Sequence, residues 1–181
     1  MSPWPSSEPR NRSAAFRRRR RQPSTLVPRA VAPSFARIRP GSPADLRAVR
    51  DLLEGAGLPT ADLTSSPGLQ LWVLEEGASS IVGAIALERS SGHEALLRSL
   101  VIVPASRGCG LGQQLVERVE KDSRQVGIHR LVLLTETAES FCGRLGYAVT
   151  DRKSVCGTVK ESEEFRSLCP ASAVCMAKSL N

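Results

Sequence analysis

The residues of this chain best placed to do chemistry lie between Val101 and Gly112, in the run Val-Ile-Val-Pro-Ala-Ser-Arg-Gly-Cys-Gly-Leu-Gly. Apolar residues lead into a loop holding Arg107 and the glycines 108, 110 and 112, and helical periodicity follows. At the mouth of a helix the first backbone N–H groups have no partner and sit at the positive end of the helix dipole. Small residues there let an anion come close, and a pyrophosphate fits. Two known phosphate loops do not account for the text. A GxGxxG fingerprint starting at Gly108 needs glycine at 113, where the chain has Gln113. A GxxxxGK[ST] loop needs a lysine and a hydroxyl residue after its glycine, and none of the three glycines has them. What remains is Arg107-x-x-Gly110-x-Gly112, whose plainer alternative is a glycine-rich turn with no ligand.

Arg98 is the next residue that needs a reason. It falls inside the apolar stretch Ala95–Val103, and an unpaired guanidinium is costly to bury, so it requires an anion. That anion is either part of a substrate or an internal partner such as Glu88 or Glu94. The five cysteines, at 109, 142, 156, 169 and 175, form no CxxC pair and no cluster with histidine. They argue against a disulfide framework and against structural zinc, so reduced thiols and no metal are expected. Cys169 and Cys175 would lie about 20 Å apart on an extended strand, and only a fold-back at Pro170 would join them on a soft ion. They are read as packing residues. His93 and His129 lack partner ligands in sequence and are read as surface or edge residues.

These residues must be positioned by an α/β (α+β) arrangement, because from Ala36 onward short apolar runs alternate with helical periods. Ala36–Arg39 reads as a strand. Ser42 reads as an N-cap, with Pro43 at the first helical position, Asp45 as the capping acid, and Gly55 and Gly57 as the stop. A short second helix is expected over Thr60–Thr64. Strands Gln70–Glu75, Ile81–Glu88 and Ala95–Val103 make a meander. A helix of about four turns covers Gly110–Gln125. Leu131–Leu134 is a buried strand running parallel to a neighbour, and Ala138–Leu145 is a helix. Strands Tyr147–Thr150 and Ala173–Ala177 close the sheet around a charged helical insert at Val159–Ser167. The sheet should hold six to seven strands.

The formal charge of +7 is confined to residues 1–35, which hold eight arginines against the single acid Glu8; beyond them bases and acids balance. The tail carries six prolines and the run Arg17–Arg21, a composition expected to be disordered. It reads as a nucleic-acid or acidic-surface binder, a transit peptide, or an extension without function, including one from a mis-assigned start. The domain proper is 36–181. Its longest apolar run, Ile81–Leu87, is far short of the roughly 18 residues of a membrane span, so a soluble domain with no membrane partner is expected, and the reduced thiols fit a cytoplasmic protein.

The pattern Arg107-x-x-Gly110-x-Gly112 resembles the coenzyme-A pyrophosphate loop of the GCN5-related N-acetyltransferases, abbreviated GNAT. Phe141-Cys142-Gly143-Arg144-Leu145-Gly146-Tyr147 resembles the FYxxLGF ending of the same superfamily. Within it, the stretches 57–63, 95–100 and 167–176 are similar to the N-acetyltransferases of bacterial arsenic-resistance operons. The resemblance implies a GNAT fold, acetyl-CoA as cosubstrate, and direct attack of an amine on the thioester. It further implies that the backbone of Leu100, Val101 and Val103 pairs with the pantetheine amides. The N–H groups of Arg107, Gly108, Gly110, Leu111, Gly112 and Gln113 would hold the pyrophosphate.

In many members a tyrosine after the phenylalanine matching Phe141 protonates the leaving thiolate; here that residue is Cys142. A thiol could donate, yet it is shorter than tyrosine, and Cys142 reads equally as a packing residue. Water or Tyr147 are the other donors. Glu88, at the end of the third strand, is the candidate base, with a solvated strand end as its plainer reading. Arg98 and Thr135 are candidate substrate-binding residues, Arg98 for a carboxylate, phosphinate or arsonate. The acceptor expected is a small anionic amino-acid-like amine, including an arsenic-containing one, handled for detoxification. The competing readings are a coenzyme-A-binding module tethered to nucleic acid by its tail and a protein N-acetyltransferase with a wide open cleft. A homodimer is left open.

Overall fold

The computed structural model describes residues 36–64, 66, 68–77, 80–89 and 92–181. The tail 1–35, and with it the expectation of disorder there, lies outside the described residues. Seven strands form one mixed sheet: β1 (Arg37–Pro40), β2 (Leu69–Glu76), β3 (Ser80–Arg89), β4 (Glu94–Ile102), β5 (Arg130–Thr135), β6 (Ala148–Val149) and β7 (Val174–Ser179). Their order is β1-β2-β3-β4-β5-β7-β6, and every neighbouring pair is antiparallel except β4 with β5. Four α-helical segments accompany it: α1 (Leu46–Gly55), α2 (Leu111–Gln125), α3 (Glu139–Arg144) and α4 (Gly157–Lys160). Among the described residues no helix is long and apolar enough to cross a membrane.

The local signals act largely where the sequence puts them. At Ser42 the Asp45 carboxylate accepts from the backbone N–H at 2.7 Å and from the hydroxyl at 2.8 Å, closing a capping box. Residues Pro43–Asp45 form a 3-10 turn before α1 begins. The short helix expected over Thr60–Thr64 is instead a turn at 61–64, where Asp62 and Leu63 point into the sheet. The expected insert helix is likewise divided, into α4 and a π-helical turn at Glu164–Leu168.

Alternation along the strands sends successive side chains to opposite faces. On one face α2 seats Leu115, Val116 and Val119 against Ile85, Leu87, Leu97 and Leu131. On the other, α1 and the following turn cover Val73, Ala84 and Val101 with Val49, Leu53 and Leu63, while Val155, Val159 and Phe165 cover Leu96 and Val132. Each such aliphatic side chain contributes roughly 1.5–3 kcal/mol when fully buried.

Two irregularities in β4 open the sheet. It pairs with β5 only from Glu94↔Arg130 to Leu96↔Val132, so beyond those positions the parallel strands part, each keeping only its outer neighbour. In addition, Ala84 faces Val101 while Ala86 faces Arg98, so Ser99 and Leu100 together oppose Ile85. This is a β-bulge, and Ser99 accordingly takes φ 56°, a left-handed value rare outside glycine.

Candidate functional site

The wedge between β4 and β5 opens towards the loop that joins β4 to α2. A 3-10 turn at Pro104–Ser106 leads into Arg107, and Gly108 and Gly110 adopt φ of 81° and 78°. Only glycine takes such angles readily, and a Cβ at either position would meet nothing within 4 Å, so conformation rather than crowding requires it. Gly112 has no such angle, and a Cβ there would make an ordinary contact with the Phe141 ring at 3.4 Å. The Arg107 amide, expected to join the pyrophosphate-holding set, donates instead to the Pro104 carbonyl at 3.3 Å, whereas among the described residues no backbone or side-chain acceptor meets the amides of Gly108 to Gln113. The loop's own polar side chains turn elsewhere. Arg107 donates to the Ile102 carbonyl at 2.8 Å, Cys109 to the Arg107 carbonyl at 3.8 Å, and Gln113 to Glu117 at 2.7 Å. Free amides at the start of a fifteen-residue helix make an anion site of the kind a diphosphate needs. Beside it, β4 from Leu97 to Ile102, which includes Leu100 and Val101, has one edge without a strand partner among the described residues.

On the face covered by α1 lies a buried ionic cluster centred on Arg98, which is 5% exposed. Its Nη1 reaches Asp62 and, at 3.0 Å, Glu88; its Nη2 reaches Asp62 at 2.7 Å and Glu164 at 2.5 Å. Asp62 therefore takes the guanidinium with both oxygens. The anion required by Arg98 comes from within the chain, the internal pair with Glu88 included. Glu94 is engaged elsewhere, accepting from Arg130 at 2.8 Å and from the Cys156 backbone at 2.7 Å.

Burial pushes the Asp62 carboxyl up, but Arg98, by hydrogen bond and charge, outweighs it and holds the group low. Glu164 goes the other way, because burial raises it beyond what Arg98 recovers. Cys169 donates to Glu164 at 3.5 Å, and burial together with that carboxylate pushes its thiol up to about 12.

Neither Asp62 nor Glu164 stood out in the sequence as a site residue. Asp62, one acid between Ala61 and Leu63, carried a usable signal, whereas Glu164 was hidden among Glu161, Glu163 and Arg166. The other candidates are dispersed. Cys142 is buried in the larger core cluster, and burial raises its thiol. Tyr147 is buried on the same side, where burial and the Glu120 carboxylate push its phenol far up; Lys178, bound to Glu120 at 2.7 Å, sits over its ring. Thr135 Oγ1 accepts from the Ala138 N–H at 2.8 Å, capping the turn into α3. His93 and His129 stack on each other with ring centroids 4.9 Å apart. All five cysteines are free, and among the described residues no group of acids, histidines and cysteines could hold a metal. A separate open groove of about 580 Å³ at the β1–β2 end is lined by Leu46, Leu63, Leu71 and Trp72, and none of the candidate site residues lines it.

Residues 67–149 match the family model for the acetyltransferase (GNAT) domain. No curated protein matches the chain by sequence. Among solved structures, a GNAT-family acetyltransferase from Staphylococcus aureus superposes with a TM-score of 0.67 at 14% identity, covering 81% of this chain and 99% of that one. N-acetylglutamate synthase from Neisseria gonorrhoeae, solved with coenzyme A and L-arginine, gives 0.67 at 17% identity, with 82% of this chain matching 34% of that longer one. A ribosomal-protein alanine N-acetyltransferase of Escherichia coli gives 0.64 at 16% identity, over 81% and 95%. The parting of β4 from β5 and the free amides ahead of α2 both fall within residues 67–149, the stretch that matches the acetyltransferase (GNAT) domain model.

Proposed function

We propose that the domain transfers the acetyl group of acetyl-CoA to the amine of a small amino-acid-like compound by direct attack. The observation that carries this reading is the set of unpartnered amides from Gly108 to Gln113, at the end of a β4 edge that lacks a strand partner. The coenzyme's diphosphate would lie on those amides, and its pantetheine amides would add to β4 at Leu100, Val101 and Val103 as a further strand. Acetyl-CoA supplies an activated thioester. What the chain itself supplies is alignment of that ester with the amine and management of two protons. Glu88, 8% exposed and held by Arg98, takes the proton of the substrate ammonium, directly or through water. Cys142 keeps its proton at neutral pH but is enclosed in the core, so the departing thiolate is protonated from solvent.

The acceptor side supports a small substrate. Asp62 and Glu164, from opposite flanks of the site, meet at one guanidinium, where a protein acceptor would need an open cleft. Arg98 is already engaged by three carboxylates, so the acceptor's own anion, if it has one, is met elsewhere, with Thr135 as a candidate. Two of the stretches resembling arsenic-resistance N-acetyltransferases, 57–63 and 95–100, supply Asp62 and Arg98 themselves. This favours an arsenic-containing or related toxic amine as the acceptor class.

The test follows free thiol release from acetyl-CoA against a panel of small amines, including arsenic- and phosphorus-containing amino acids. Turnover confined to small amines is expected. Absence of thermal stabilisation by acetyl-CoA, or turnover only with peptides, would sink the reading.

A further inference from the structure

We propose that Arg98 is a positioning residue: it ties the turn at 61–64 and the segment Glu164–Leu168 to β4 and thereby sets how well the acceptor is held. The inference rests on the transferase reading above. Three separate parts of the chain deliver a carboxylate to this one side chain, Asp62 from the turn, Glu88 from β3 and Glu164 from the π-helical turn. Neither flank has a long helix of its own to fix it. The turn is anchored by Leu63 and the other flank by Phe165, so the guanidinium is the polar fastener the two share. Both terminal nitrogens are engaged and only Nε lacks a partner, which leaves little for a substrate anion. Arg98 also directly precedes the bulge at Ser99, from which the free edge of β4 continues. A rigid fork can span three carboxylates in this way, whereas an ammonium on a flexible stem cannot hold the same geometry.

The experiment compares R98K, D62N and the double variant R98K/D62N in steady-state kinetics with an amine that the wild-type enzyme turns over. Each single change is expected to raise acceptor KM by about tenfold or more while KM for acetyl-CoA stays within about twofold, and the double variant is expected to be no worse than the weaker single, as for two breaks in one connection. If Arg98 instead bound the acceptor's anion, R98K would raise KM while D62N, by freeing the guanidinium, would leave it unchanged or lower it; that pattern overturns the proposal. Should D62N fail to fold, E164Q, which keeps shape and a hydrogen-bonding oxygen, supplies the same comparison.

Amide hydrogen exchange gives a reading independent of turnover. R98K is expected to speed exchange at both 59–64 and 157–168 and not at 108–116, and unchanged exchange at either flank counts against the tie. A wild-type enzyme inert towards every amine would defeat the transferase reading, while the exchange result would still decide whether the tie exists.

Discussion

The two halves of this site are built from opposite materials. The proposed coenzyme side, Gly108 to Gln113, is largely exposed, made of backbone, and left with its amide hydrogens unspent among the described residues. The proposed acceptor side, around Arg98, is buried, made of side chains, and spends nearly all of its capacity on itself. The first can bind one chemical group shared by every reaction it serves. The second fixes a shape, and shape is where acceptors differ. A fold that serves many amines would be expected to keep the one and vary the other.

That contrast can be broken most forcefully at Arg98. Replacing it with methionine leaves three carboxylates without their counter-charge, and the loss of one member of a buried ionic network costs about 3–5 kcal/mol. A correspondingly lowered urea midpoint is expected, and a midpoint within experimental error of wild type would mean that the cluster is far wetter than its burial indicates. On the coenzyme side, G110D keeps a residue type that tolerates left-handed φ but places a carboxylate at the helix mouth. About a hundredfold weaker acetyl-CoA binding, roughly 2.7 kcal/mol, is expected by titration calorimetry, against a smaller loss of stability of about 1 kcal/mol from the left-handed φ. Equal loss in both measurements would erase the distinction between the two halves.

The pH dependence separates members of the acidic cluster. Asp62 is held below its ordinary 3.8, so its contribution is present above that value and lost as pH falls. Glu164 is held above its ordinary 4.5, so its contribution is present below that value and lost as pH rises through the raised one. Denaturant midpoints measured across pH should therefore show a decline as pH rises above 4.5 in wild type that is absent in E164Q, while D62N should soften only the acid decline. The smallest effect is expected at Cys142: C142A should lower kcat by less than about threefold, since solvent can supply the proton. A fall of about a hundredfold would restore the thiol as the donor.

The same contrast decides what could be read from the sequence. The geometry of the glycine loop was legible because glycine spacing, left-handed φ and a following amphipathic helix are all local properties, and α2 begins one residue after Gly110 as that spacing requires. The strands around it were legible for a similar reason, with the meander bounds matching to within a residue or two. The acceptor side was half legible. The cost of burying Arg98 demanded an anion, and Glu88 was one of the partners considered. Asp62 and Glu164 were not, because they lie far away in sequence in a turn and an insert that lack periodicity. Only the closure of the fold brings them to the same guanidinium. The insert misled as well. Its charges read as one helical insert, yet it is divided into two short segments, and Val159, Glu164 and Phe165 are buried over the sheet.

The extra residue at Ser99 has one more consequence. Strand β4 changes parity in passing it: Leu96 and Arg98 share a layer, but the next member of that layer is Val101, three positions on. Deleting Ser99 or Leu100 would restore an unbroken two-residue rhythm and send either the ionic half or the open-edged half to the wrong layer. Point substitutions should therefore be far easier to absorb along this strand than any change in its length.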